Sequence, residues 1–139
     1  MQANRVLTPT DWQNLEQLFV AYPNVIAAWV FGSAQVGSVR PGGDVDVAVL
    51  FEKRPLLDEL TDLRAAIQDA LDFDAIDLLI LNGAAPIIRF EGISGRAIFC
   101  RDLGKRADFA SLTAREYEDS MAFLAKGMAY RQSAIKSPR

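Results

Sequence analysis

The chain has 139 residues, half of them hydrophobic and 24% charged, with a net charge of −3; this suits one compact domain with a proper core and is too apolar for extended disorder. Histidine is absent and cysteine occurs once, at Cys100, which excludes Ser-His and Cys-His hydrolases, histidine-ligated zinc, cysteine-clustered metal sites and internal disulfides. The acidic balance argues against a nucleic-acid partner, no apolar run reaches the ~20 residues of a membrane span, and the first residues lack a signal-type apolar segment, so a cytoplasmic protein without membrane contact is expected.

The first element reads as a helix. Thr8 is a good N-cap, Pro9 suits the first helical position, and Asp11 stands where a capping-box acid belongs. Trp12, Leu15, Leu18 and Phe19 follow at helical spacing, and Tyr22-Pro23-Asn24 stops the run. Val25 to Phe31 is continuously apolar and predicts a buried strand. It ends at Gly32-Ser33, and Gly37 to Gly43 is polar and glycine-rich, a loop. Asp44 to Phe51 predicts a second strand. Arg54-Pro55 opens a helix whose apolar face is Leu56, Leu60, Leu63, Ile67 and Leu71. Ala75 to Leu81 predicts a third strand, broken by Asn82-Gly83. A short helix over Ala84 to Phe90 and a short extended piece over Arg96 to Cys100 follow. From about Lys105 the chain turns helical again, with Tyr117, Met121, Leu124 and Met128 in one stripe. The order is that of an α/β fold with a small mixed sheet flanked by helices.

The residues that carry chemistry cluster around the second strand. Asp44 and Asp46 are two apart, so on a strand they project to the same face, beside the glycine-rich loop. Two such carboxylates repel, and a divalent cation relieves the repulsion. Magnesium takes a few carboxylate oxygens together with water and substrate phosphate. In the loop, Gly32 lets the backbone approach a phosphate closely, Ser33 offers a hydroxyl and an N–H, and Arg40 is the nearest guanidinium. Gly42 and Gly43 turn the chain into the strand. Asp77 sits in the apolar strand Ala75–Leu81, where a charge is costly unless paired or metal-bound. If the third strand lies beside the second, Asp77 joins the pair, and three carboxylates can hold two metal ions and supply a general base. The alternative for Asp77 is an edge residue facing water or pairing with an arginine.

Gly32-Ser33, ten intervening residues and then Asp44-x-Asp46 resemble the polymerase-beta-like nucleotidyltransferase superfamily. The segment Phe31–Asp46 looks like its minimal nucleotidyltransferase branch, and Asp77 falls where that superfamily places a third acid. Gly95–Asp102 and the helical tail resemble the MntA-type antitoxins of HEPN/MNT toxin–antitoxin pairs. The resemblance implies a polymerase-beta-like fold, a catalytic core over 1–104 and a C-terminal helix with basic tail over 105–139 within the same domain. It implies Asp44, Asp46 and Asp77 as catalytic metal ligands, with Gly32, Ser33, Arg40 and Gly43 around the nucleotide. It implies Mg2+, two ions, as cofactor, ATP as substrate, and transfer of AMP to a tyrosine of a HEPN-domain toxin, a ribonuclease. One departure stands out: Gly43 occupies the place where the family usually carries serine or threonine.

Plainer readings exist for several side chains. The Tyr117–Met128 stripe reads as core packing. Arg89 and Arg96 flank an apolar segment and read as surface charges, and Cys100 as a packed thiol. Arg131, Lys136 and Arg139 form a basic end, most simply a solvated terminus. Two other functions share the motif: transfer to a small molecule, and neutralisation of a partner by binding alone.

Overall fold

A computed structural model describes residues 4–136, with side chains through residue 132. Its elements are β1 (Arg5–Val6), α1 (Pro9–Val20), β2 (Val25–Phe31), a 3₁₀ turn (Gly32–Val36), β3 (Ser38–Val39), β4 (Val45–Phe51), α2 (Leu57–Leu71), β5 (Ile76–Ile80), α3 (Pro86–Ile93), β6 (Arg96–Cys100) and α4 (Leu103–Lys136). The predicted elements are all present, with ends shifted by one to three residues. Asp44 lies one residue ahead of its strand, and α2 begins at Leu57 rather than beside Pro55. Two short strands within stretches that read as irregular, β1 and β3, pair antiparallel with each other.

The start of α1 forms as its residues dictate. The Thr8 N–H donates to Asp11 Oδ2 at 2.8 Å, and the Asp11 N–H donates to Thr8 Oγ1 at 3.2 Å. This reciprocal pair satisfies two of the donors a helix start leaves free.

The main sheet runs β5-β4-β2-β6, with β4 and β5 parallel and the other pairs antiparallel. Because strand side chains alternate, its two faces build two cores. Leu15 and Phe19 of α1 and Leu63 and Ile67 of α2 pack with Val30, Val47 and Ile76 on one face. Trp29, Ala48, Leu50 and Leu79 pack with Ile93 of α3 and Phe109 of α4 on the other. The molecule is thus a three-layer α/β sandwich.

Two polar side chains fasten neighbouring elements, one within the sheet and one between the sheet and α1. Asn82 mimics a strand residue: its Oδ1 accepts from the Phe51 N–H at 2.9 Å and its Nδ2 donates to the Phe51 carbonyl at 2.8 Å. Arg101, just past β6, donates Nε–H to the Val25 carbonyl at 2.9 Å. Its Nη2 donates to the carbonyls of Phe19 at 3.0 Å and Tyr22 at 3.2 Å. One guanidinium thereby adds a second donor to carbonyls at the end of α1 and joins them to β2.

The outer helices depart from the sequence reading. Arg89 is buried, not a surface charge; it lies between α3 and α4, paired with Glu116 and over the Phe109 ring. Arg96 is exposed but stacks on Trp12, 3.8 Å from the ring centroid. Of the stripe on α4, only Tyr117 packs inward; Met121, Leu124 and Met128 are exposed, because α4 runs on past the body it covers. Cys100 is a half-buried free thiol. Arg131 is exposed, while the Lys136 side chain and Arg139 lie outside the described residues. No helix among the described residues is long and apolar enough to cross a membrane.

Candidate functional site

The three acids meet at one end of the β4–β5 ladder. Asp46 pairs in register with Asp77, and Asp44 immediately precedes β4. A carboxylate oxygen from each lies within 4.8 Å of the others. By alternation, Asp46 shares its face with Ala48 and Leu50, and Asp77 shares its face with Leu79, so the site opens on the side covered by α3 and α4. Asp44 and Asp77 are exposed and Asp46 is half-buried. Burial, then the charges of Asp77, Asp44 and Glu91, hold the Asp46 carboxyl above the usual carboxylate range.

The loop before β4 is folded against these acids. Gly32 sits at φ +69°, in the left-handed region. A Cβ placed on it would lie 2.7 Å from Asp46 Oδ2. Glycine is required here both for conformation and for space. Gly32 opens the 3₁₀ turn, in which Gln35 Nε2 donates to the Gly32 carbonyl at 3.0 Å, and Ser33 is exposed beside it. The loop is anchored by the β1–β3 pairing and by the Leu7 N–H, which donates to the Gly37 carbonyl at 2.8 Å. The Gly43 N–H donates to the Arg40 carbonyl at 2.8 Å, closing the turn into β4. A Cβ at Gly43 would stand 3.0 Å from the Arg40 carbonyl oxygen, so this tight turn favours the bare glycine over serine or threonine. The Arg40 side chain is exposed and, among the described residues, forms no ion pair with the acids.

Sequence reasoning missed the wall opposite the loop. Gly32, Gln35, Ile87, Phe90, Glu91 and Tyr117 line a cavity of about 360 Å³. Phe90 and Tyr117 stack with centroids 4.0 Å apart and planes 13° off parallel. The signal available was Tyr117 at the head of the α4 stripe and an acid, Glu91, on a short helix that is apolar apart from it and Arg89. A second cavity, about 260 Å³ between α2 and β5, is lined mainly by leucine and isoleucine and lies on the other side of the sheet, away from the acids.

The model of the family described as "Polymerase beta, Nucleotidyltransferase" matches residues 13–103. The chain belongs to that family. The match runs from α1 through β6 and contains the Gly32 turn and all three acids. Among solved structures, an MntA-HpeT toxin–antitoxin mutant aligns with a TM-score of 0.70 at 20% identity, covering 89% of this chain and 98% of the other. A toxin–antitoxin structure with AMP-PNP aligns at 0.68 and 21% identity with the same coverage. A tri-AMPylated HEPN toxin of Shewanella oneidensis in complex with MNT antitoxin aligns at 0.61 and 20% identity, again with that coverage. No curated protein matches. At these identities the structural likeness establishes the polymerase-beta-like nucleotidyltransferase fold, and the family match establishes a nucleotidyltransferase domain.

The donor set in this domain suits a hard divalent ion. Three carboxylates converge, and no thiol or imidazole competes. Asp46 carries a charge conflict with its neighbours that a cation would relieve.

Proposed function

We propose that this chain is the antitoxin of a HEPN/MNT toxin–antitoxin pair, acting in the cytoplasm as a Mg2+-dependent adenylyltransferase that moves AMP from ATP onto a tyrosine of its HEPN-domain toxin. The observation that carries the reading is the convergence of Asp44, Asp46 and Asp77 beside the Gly32 turn. The solved structures described above, which include a toxin–antitoxin with AMP-PNP and an AMPylated HEPN toxin, support the choice of nucleotide and acceptor.

In this reading residues 1–104 form the catalytic core, and 105–139 add a helix and tail to the same domain. Gly32 admits the triphosphate to the backbone, Ser33 supplies a hydroxyl, Arg40 a positive charge from the loop, and the Gly43 turn sets the loop's approach to Asp44. The acceptor oxygen attacks the α-phosphorus of ATP; a new P–O bond forms as the bond to the β-phosphate oxygen breaks and pyrophosphate leaves. Asp77, exposed at the sheet edge, takes the acceptor's proton. Magnesium held by the three carboxylates would offset phosphate charge on both sides of the displacement. The exposed Met121, Leu124 and Met128 on α4 favour a protein acceptor, which brings its own surface to the site.

The test is direct. The full chain is incubated with ATP, Mg2+ and the protein encoded beside it, and the partner is weighed by intact-mass spectrometry. Addition of one or more AMP units, lost with Asp44→Asn, is the expected result. Tight binding with no adduct would make this a non-catalytic antitoxin.

A further inference from the structure

We propose that the open margin of β5 and the groove between β5 and α2 dock an extended segment of the protein acceptor, which brings its tyrosine against Asp77. The proposal rests on the transfer reading above and adds how the acceptor is recognised.

β5 is bonded to β4 alone. The Ala75 carbonyl accepts from the Val45 N–H, and the Leu81 N–H donates to the Val49 carbonyl. Alternation along a parallel ladder then turns the N–H and C=O of Leu78 and Ile80 away from β4, to the open margin. An evenly spaced row of backbone donors and acceptors is matched by another extended chain.

The side chains of the same two residues face α2. With Leu57, Leu60, Thr61 and Arg64 they line the cavity of about 260 Å³. The helix residues stand at i, i+3, i+4 and i+7, one stripe of α2, and the strand residues are two apart, one face of β5. A groove between a margin strand and a helix stripe receives alternate side chains of an added strand. Its charge is one-sided. The α2 acids Glu59 and Asp62 are drawn towards α1, where Asn24 Nδ2 donates to Glu59 Oε1 at 3.2 Å and the Tyr22 hydroxyl donates to Asp62 Oδ2 at 2.7 Å. Exposed Arg64 is the charge that lines the groove. Because α2 returns from the end of β4 to the start of β5, Arg64 lies towards the Asp77 end.

An added strand shares its two faces with β5. Residues opposite Leu78 and Ile80 enter the groove, and one opposite Asp77 projects onto the catalytic face. The neighbour opposite Ile76 comes over Arg64. The fitting segment carries an acid, then tyrosine, then aliphatic residues at the first and third places after it. Asp77 makes the pairing selective, since an acid opposite it is repelled and a tyrosine hydroxyl is not.

Fluorescence anisotropy of the full chain tests this with two labelled peptides, one containing Glu-Tyr-Val-Ser-Val-Ser and one Glu-Tyr-Ser-Val-Ser-Val, each made in both residue orders. Composition is identical, but the second peptide turns its valines to the wrong face. One order of the first peptide should bind about tenfold tighter than either order of the second. Arg64→Glu and Thr61→Trp, both at exposed helix positions, should each lose about that factor for the first peptide and leave the second unchanged. An unchanged urea midpoint shows that these variants are folded. With ATP and Mg2+, mass spectrometry should find AMP on the tyrosine of the first peptide. Equal binding of the two peptides overturns the proposal, as does a wild-type dimer that Thr61→Trp dissolves, which would give the groove to a second copy. Selective binding without AMP on the peptide, while the neighbouring protein is modified, overturns the assignment to the acceptor. Selective binding with neither modified leaves the groove standing and strikes the transfer reading instead.

Discussion

Asp46 on β4 faces Asp77 on β5 across a parallel ladder, one residue opposite the other. Parallel register thus places two acids from strands 31 positions apart in sequence (77 − 46) at one point. The parallel arrangement exists because α2 carries the chain back across the sheet between them.

The first prediction concerns the charge conflict this creates. Asp46→Asn removes repulsion among Asp46, Asp77, Asp44 and Glu91. The metal-free variant should therefore melt a few degrees higher than wild type at neutral pH. Wild type should gain about 2.7 kcal/mol when Mg2+ stands at 100 times its dissociation constant, and the variant should gain almost nothing. Transfer should fall by about 10²- to 10⁴-fold. Calorimetry with and without Mg2+ checks this; an unchanged metal-induced shift in the variant contradicts the assignment of Asp46 as a ligand.

Gly32→Ala should damage both fold and site. The new methyl would meet Asp46 Oδ2 at 2.7 Å from a backbone at φ +69°. The backbone strain alone costs about 1 kcal/mol, and displacement of Asp46 adds loss of Mg2+ binding. Gly83→Ala is the matched control, because it has φ +80° but open space around the added carbon. It should lose similar stability and keep Mg2+ affinity. Equal Mg2+ binding by the two variants would show that the contact with Asp46 is unimportant.

The α3–α4 clasp gives a third test. Arg89 is 10% exposed at its side chain and Glu116 is 39% exposed. Glu116→Ala strands a buried guanidinium and should cost about 1–3 kcal/mol, less than a fully buried pair because water reaches Glu116. Replacing both residues by leucine should recover most of the loss. Urea unfolding of the two variants separates the ion pair from mere packing: a double variant as unstable as Glu116→Ala argues against the stranded charge.

Asp11 sets a pH dependence. Burial pushes its carboxyl up, but the Thr8 N–H and Arg5, 3.2 Å away, outweigh that and leave it below the usual value. A depressed folded-state pKa stabilises the fold above the unfolded value of about 3.9, and that stability is lost as pH falls through the folded value. Asp11→Asn should therefore lower the melting temperature at pH ~7 by an amount equivalent to about 1 kcal/mol. The gap to wild type should narrow as pH falls below that unfolded value and through the lower folded one. A gap that persists there would mean that packing, not charge, is responsible.

The strands were legible because their apolar runs are continuous and end at strong breakers: Gly32 after β2, and Asn82-Gly83 after β5. Asp77's meeting with Asp44 and Asp46 was legible only on condition that β5 lies beside β4, a long-range fact that no local pattern states. β1 and β3 escaped because two residues give no periodicity. Arg89 misled because a buried cation shows itself only through its partner, and Glu116 is 27 residues away. The α4 stripe misled in the opposite sense: helical spacing reveals an apolar face but not whether the domain is long enough to cover it.

β5 lies at the margin of the sheet, bonded to β4 on one side only. Between Ile76 and Ile80 its one charge is Asp77. A margin strand reading Ile-x-Leu-Leu-Ile without that charge would template growth against other molecules. A charge at 77 thus also disfavours indiscriminate pairing of that margin with another chain. An apolar replacement at 77 would precipitate as readily as it would fail to react, so only the isosteric Asp77→Asn reports on chemistry by itself.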